Sequence, residues 1–248
     1  MRRVMRASLP DPVIAYLDKR RLAVAKRRLS GNLNIEDDWK AARQTKALQS
    51  VLLILQSMMG PRERCMYCID SHGSDIEHFR PKARYPSLAY RWKNLLLCCT
   101  ECGRLKGGNF PLMGRRPLLI DPTSEDPWQH LDFDPDTGAL TARFDVISDD
   151  WSAKGSKTVE ILRLDRREGM AAGYSKTFRR LVGVLQGSLT ALSAGVKNAE
   201  ELYTSLESAD DHGLLPWCFL GSGRDLEPFR ELRQEYPQVW AHCVTVVS

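Results

Sequence analysis

Between residues 11 and 29, Val13, Leu17, Leu22 and Leu29 recur at roughly helical spacing with basic residues between them. The pattern predicts a basic amphipathic helix ended by Ser30-Gly31. Asn34 stands where it can cap a second helix, running through Trp39, Leu48, Leu52 and Leu55 to Met59 and stopped by Gly60-Pro61. Residues 62–110 are irregular and rich in cysteine. From 111 to 150 the turn signals DPTSEDP and DPDTG surround short candidate strands such as ALTARFDVI. The helical period returns from about Ser156 in TVEILRL, GYSKTFRRLVGVLQGSLTAL and NAEELYTSLE, with Gly183 and Gly187 weakening the middle one. The last stretch, LLPWCFLGSGRDLEPFRELRQEYPQVW, reads as short helices broken by Gly and Pro. No internal repeat or low-complexity tract interrupts this order.

The expected fold is therefore α+β and mostly helical. Its segments are basic N-terminal helices (1–60), a small cysteine-bearing module (61–115), an acidic strand and turn segment (116–150) and a helical C-terminal region (151–248). At 248 residues, the chain suffices for one large or two small domains. Apolar residues at 43% and charged residues at 27% are ordinary for a soluble globular protein.

Charge changes the picture more by its distribution than by its sum of +5. Residues 1–30 carry nine Arg/Lys against two acidic residues, and 62–116 carry eleven against five. Conversely, 121–150 holds nine acidic residues against Arg143 alone, and 200–248 holds nine against three basic ones. A front half that faces phosphate and a rear half that avoids it is one reading. Solvated helix faces are the other for the N-terminal block.

The N-terminus is positive but has no apolar stretch behind it, so no secretory signal is expected. The longest apolar run, VLLILQSMM, falls far short of the ~20 residues of a membrane span. A cytoplasmic protein with no membrane partner is the expectation. Seven cysteines, an odd number in a chain without such a signal, then point to metal rather than disulfides.

Four of the seven form two Cys-x-x-Cys pairs, Cys65 with Cys68 and Cys99 with Cys102. Four thiolates so spaced suit one tetrahedral structural zinc. Two separate buried or redox-active pairs are the alternative. The thirty residues between the pairs leave room for a β-hairpin. Cys98 makes the register ambiguous, and the x2 spacing to Cys102 favours Cys99. Cys218 and Cys243, beside aromatic and aliphatic neighbours, read as core packing.

Between the pairs lies DIEHFRPK, and after it NLLLCCTECGRLKGG. Together these segments resemble the HNH (ββα-metal) endonucleases, in particular the subset whose active site is bracketed by two zinc-binding Cys pairs. The longer run EHFRPKARYPSLAYRWKNLLLCCTECGRLKGGNFP, followed by LLIDPTSEDPWQHLDF and KTVEILRLDRRE, is similar to the HNH nuclease subunit of the Septu anti-phage system and its retron-associated relatives (PtuB-like). The likeness covers roughly residues 40–170.

The resemblance implies a metal-dependent DNA endonuclease built on a zinc-stapled ββα module. In it His78 would be the general base and Glu77 a ligand of the catalytic Mg²⁺ or Mn²⁺. Asn94 would fix the loop that orients His78; a turn or capping role is its alternative. Arg80, Lys82, Arg84, Arg104 and Lys106 could grip backbone phosphates. Tyr85, Tyr90 and Trp92 interleave with them, or simply pack the module. Asp75 fits a supporting acid, and His72 an exposed turn.

One position departs from the family pattern. The residue after the last zinc cysteine is usually Asn or His, and here it is Gly103. Water or another residue fills that coordination position, or the site is weakened. Asp121 and His130 are the candidate substitutes. The resemblance also implies an anti-phage role beside an ATPase partner subunit, possibly as an oligomer in a larger complex. A degenerate module that binds nucleic acid or a partner without cutting, and a stand-alone restriction-like nuclease, are the competing readings.

Overall fold

The structure is a computed structural model that describes residues 1–248. The chain is α+β and mostly helical, with four two-stranded antiparallel sheets. No helix is long and apolar enough to cross a membrane. Contacts divide it into two units, Arg3–Asp126 and Pro127–Ser248 together with Met1–Arg2.

In the first unit, α1 (Asp11–Leu29) starts behind Pro10 and buries Val13, Leu17 and Val24. Leu22 and Leu29, included in the predicted stripe, point to solvent instead. Asn34 caps α2 (Ile35–Arg43) by accepting the Glu36 and Asp37 N–H groups. The single second helix expected to reach Met59 is in fact two. Thr45 ends α2 and starts α3 (Lys46–Ser57): its hydroxyl donates to Ala42 O at 2.7 Å and accepts the Leu48 N–H at 3.5 Å. A short hydroxyl side chain can satisfy the loose backbone groups of both helix ends, which makes a break as stable as continuity. Helix α3 then packs Leu48, Val51 and Leu55 inward, against α1 and strand β2 (Leu95–Cys98).

Strand β1 (Asp75–His78) pairs antiparallel with β2, placing Glu77 opposite Leu96 and His78 opposite Leu95. The continuously apolar β2 is buried along its whole length. Helix α4 (Thr100–Lys106) follows directly and packs on β1. A small hairpin, β3 (Leu112–Met113) with β4 (Arg116–Pro117), completes the unit.

The α1–α2 corner is closed by one buried carboxylate. Asp38 Oδ1 accepts from Arg20 at 2.6 Å and from the Tyr90 hydroxyl, and Oδ2 accepts from Arg27. Tyr90 lies far along the chain, so this acid joins the two basic helices to the segment leading into β2.

In the second unit, β5 (Leu131–Phe133) pairs with β6 (Leu140–Ala142), and β7 (Phe144–Asp145) pairs with β8 (Asp150–Trp151). The stretch read as one candidate strand is divided at Arg143, whose N–H donates to His130 O. The helices are α5 (Ala153–Leu162), α6 (Glu168–Ser193), α7 (Ala199–Ala209), α8 (Leu215–Leu220), α9 (Phe229–Glu235) and α10 (Pro237–Val247). Helix α6 runs unbroken through Gly183 and Gly187, because both lie on its solvent side while Tyr174, Leu181, Leu185 and Leu189 face the core. Phe133, Phe178, Trp217 and Phe229 form an aromatic cluster at the centre.

Asp38→Ala removes the only carboxylate in its corner and leaves Arg20 and the Tyr90 hydroxyl facing each other. The expected loss is about 3 kcal/mol of stability, the scale for breaking a buried charge pair from one side. Arg27→Ala should cost no more than about 1 kcal/mol, because that arginine is half exposed and screened. Urea unfolding of the two variants checks the contrast, and equal losses would show that Asp38 is not the centre of the network.

Candidate active site and metal centre

Cys65 and Cys68 occupy a tight turn in which the Ile69 N–H donates to Cys65 O and the Cys65 N–H to Ser71 O, both at 2.9 Å. Ile69 takes a positive φ of 52° there. The Met66 N–H donates to Leu97 O at 3.0 Å, fastening the turn to β2. Gly73 makes this approach possible, since a Cβ at that position would lie 2.3 Å from the Leu97 side chain. On the other side, Cys99 is the N-cap of α4 and its Sγ accepts the Cys102 N–H at 3.4 Å.

The result is a buried cluster in which the Sγ atoms of Cys65, Cys68, Cys99 and Cys102 all lie within 4.8 Å of one another. A tetrahedral zinc with Zn–S bonds of about 2.3 Å requires S···S separations of about 3.8 Å. Cys68 Sγ and Cys99 Sγ stand 3.9 Å apart. Cys98 is outside the set, its thiol donating to Cys99 O at 3.2 Å. Hydrogen bonds with Cys102, Cys65 and Cys99 hold Cys68 below the ordinary thiol range, whereas burial pushes the Cys65 thiol up. Four sulfurs packed this closely cannot all ionise unless a cation joins them, so the donor set fits a metal such as zinc.

Beside the cluster opens a cleft of about 710 Å³, lined by α2, β1, the start of α4 and the loop around Pro81. His78 and Glu77 both line it. His78 is buried, with Trp39 edge-on to its ring at 4.3 Å. Its Nε2 lies 3.0 Å from Ala89 O. A carbonyl oxygen can only accept, so Nε2 carries the proton and Nδ1 keeps its lone pair. Burial, and then the charge of Lys82, lower the imidazole pKa to about 3, so the ring is neutral at ordinary pH.

Asn94 bridges the two chain segments around that imidazole. Its Oδ1 accepts the Arg80 N–H at 2.8 Å, while Nδ2 donates to Arg80 O and Leu88 O at 3.1 Å. Arg80, two residues past β1, and Leu88, the residue before Ala89, are therefore fixed to each other by a single side chain.

Glu77 Oε1 accepts from the His78 N–H at 2.8 Å and from Lys106 Nζ at 3.0 Å. Oε2 faces the position of Gly103, where a Cβ would lie 3.7 Å away. Burial raises the Glu77 carboxyl above the ordinary range, against the pull of the Lys106 ammonium. For a hard divalent ion Glu77 thus offers its Oε2 in an open, wettable cleft. That fits an ion that retains most of its waters and completes its shell with substrate phosphate.

The other sequence-derived residues divide into those at the cleft and those away from it. Lys82 lines it, paired with Glu36 at 2.9 Å, as does the exposed Arg104. Arg80 stacks on Tyr85 and Phe110, and Arg84 stacks on Tyr85. Lys106, expected among the phosphate-facing cations, is instead wholly buried on Glu77 and His78 O. Asp121 does not line the cleft; its carboxylate is engaged by Thr123 and Ser124 within its own turn. His130 belongs to the second unit, with Nδ1 3.0 Å from Ser152 Oγ. For Asp121, held within its own turn, the substitute-ligand role therefore has no geometric support. Asp75 is at the cleft, bonded to Arg43 at 2.9 Å, and His72 is exposed.

Sequence reading missed the contribution of α2: Trp39, Lys40 and Arg43 all line the cleft. The signal was available in the spacing, because Trp39 and Arg43 are four apart and share a helix face.

Replacing any one of Cys65, Cys68, Cys99 or Cys102 by Ser should release the metal and unfold the 61–106 region, since such sites contribute folding free energy of order 10 kcal/mol. Cys98→Ser should retain the metal in full. Metal analysis of purified variants by mass spectrometry, paired with circular dichroism, checks both. Loss of metal from the Cys98 variant would mean that the register is wrong.

No family model matches the chain. It is 32% identical over 152 residues to the Septu protein PtuB of Bacillus mycoides (strain KBAB4), a match covering 48% of this chain and 48% of that protein. It is 30% identical over 108 residues to the Septu protein PtuB of Bacillus thuringiensis, covering 42% of this chain and 37% of that one. The chain thus spans less than half the length of each of these curated relatives, and similarity to part of a Septu protein is what the comparison establishes.

Proposed function

We propose that this chain is a metal-dependent HNH-type endonuclease that hydrolyses DNA phosphodiester bonds, with β1, β2 and α4 as its ββα-metal module. It acts as the nuclease of an anti-phage defence system together with an ATPase partner subunit. The observation that carries the nuclease reading is the imidazole of His78, whose Nε2 proton is committed to Ala89 O and whose Nδ1 lone pair is left to act as a base. The defence role and the partner rest on the partial likeness to the Septu proteins.

In this reading His78 takes a proton from the attacking water through Nδ1. Asn94 holds the loop that supplies the Ala89 carbonyl, so the ring keeps its tautomer and its aim. Glu77 Oε2 would hold Mg²⁺ or Mn²⁺, which supplies charge neutralisation at the scissile phosphate and leaving oxygen. Lys82 and Arg104 at the rim, with Lys40 and Arg43 from α2, meet the DNA backbone.

A second reading, a module that binds without cutting, draws on the missing side chain at Gly103. The two separate experimentally. His78→Ala should retain its zinc and its DNA binding while plasmid cleavage with Mg²⁺ or Mn²⁺ falls by roughly 10²–10⁴-fold. A parent protein that never nicks plasmid, with the partner present, favours the non-cutting module.

Gly103 sits inside α4, outside the left-handed backbone region, and its missing Cβ would make only ordinary contacts with Glu77 Oε2 and Cys98 Sγ. Gly103→His should therefore fold and lower the metal concentration for half-maximal cleavage, by roughly tenfold for one added ligand. A metal titration of cleavage reads this directly. An unchanged midpoint in a folded variant would show that the ion does not bind between Glu77 and α4.

A further inference from the structure

Lys106 has a setting unlike that of any other lysine in the first unit. Its side chain is 0% exposed. A buried ammonium is tolerated only where charge and hydrogen bonds replace water. Here the replacements are Glu77 Oε1 at 3.0 Å and His78 O at 2.7 Å. Both belong to the two adjacent residues of β1 that carry the proposed chemistry. Lys106 reaches them because it lies one helical turn beyond Cys102, on the face that the sulfur cluster turns inward.

We propose that Lys106 is a positioning residue that fixes the Glu77 carboxylate and weakens its hold on a divalent ion until DNA is bound; this rests on the nuclease reading above. Two facts support it. Oε1 already accepts two donors, Lys106 Nζ and the His78 N–H, so only Oε2 remains for an incoming cation. The ammonium on the same carboxylate also repels a dication, and that ammonium is itself wholly buried, out of reach of screening water. The phosphate of a bound DNA strand supplies the negative charge that offsets this repulsion. The second bond, to His78 O, holds the backbone of the base in the same register as the carboxylate. A salt bridge with a purely structural role would contribute stability alone and leave metal affinity unmoved.

The test is Mn²⁺ binding to the zinc-loaded protein without DNA, followed by the electron paramagnetic resonance signal of free Mn²⁺. Lys106→Met should bind Mn²⁺ at least roughly tenfold more tightly than the parent. Its kcat for plasmid cleavage should fall by about 10–100-fold, because the carboxylate and the base are no longer held. Tighter metal with slower turnover is a combination that simple loss of stability does not produce. Lys106→Gln, which keeps a donor for His78 O without the charge, gives the same reading if the methionine variant fails to retain zinc. Equal or weaker Mn²⁺ binding in a zinc-retaining variant overturns the proposal. Glu77→Ala separates the two levels. If it abolishes Mn²⁺ binding while Lys106→Met changes nothing, only the role of Lys106 falls. If Glu77→Ala leaves binding intact, the metal assignment of Glu77 falls, and this inference with it.

Discussion

Four buried sulfurs stand close enough to share one cation, and most of the first unit is arranged around that cluster. The cluster ties residues 65–68 to residues 99–102, closing a loop that contains β1, the Asn94 bridge and β2. A crosslink across such a loop removes much of the freedom the unfolded chain would otherwise have. It also reinforces a small core, in which Met66, Tyr67, Ile69, Ile76 and Phe79 are buried with Leu95, Leu96 and Leu97. The sheet itself is minimal, since β1 is only four residues long and its partner strand has no further neighbour.

The same cluster sets the chemistry of the neighbouring cleft through α4. This helix is two turns long and begins at a cluster cysteine, so its axis is fixed at the start and little of it is free to move. Gly103 and Lys106 are carried on it to opposite oxygens of one carboxylate, an open space facing Oε2 and an ammonium on Oε1. The position of the sulfurs is thereby translated into the orientation of Glu77. The imidazole of His78 is aimed by the carbonyl of Ala89 and the crosslinks of Asn94.

Periodicity and spacing carried much of this into view before any coordinates. The Cys-x-x-Cys spacing selected Cys99 over Cys98, and the sulfurs follow it, with Cys99 as an N-cap whose Sγ accepts the Cys102 N–H. The cap at Asn34 was equally legible, as a short polar side chain that precedes an apolar period. What the sequence could not show were the choices made by tertiary context. Thr45 looks like any helix-interior threonine until its hydroxyl is seen serving two helix ends. Lys106 looks like a surface cation because lysine usually is one. Only the meeting of α4 with β1 makes its burial possible. Asp121 and His130 were read as spare ligands, but each already has local hydrogen-bond partners that linear order does not reveal.

Ile69 gives the cysteine turn a thermodynamic character of its own. A branched side chain at φ 52° is held in a region of backbone space that is costly for it, by about 1–2 kcal/mol. It is kept there by burial of its side chain and by the hydrogen bond that its own N–H donates to Cys65 O. When the metal leaves, the sulfurs no longer enforce this conformation and the residue relaxes toward extended backbone. The strain is therefore released on the apo side of the equilibrium. Relative to a turn with glycine at this place, the knuckle should exchange its metal more readily, by a factor of about ten for 1.4 kcal/mol.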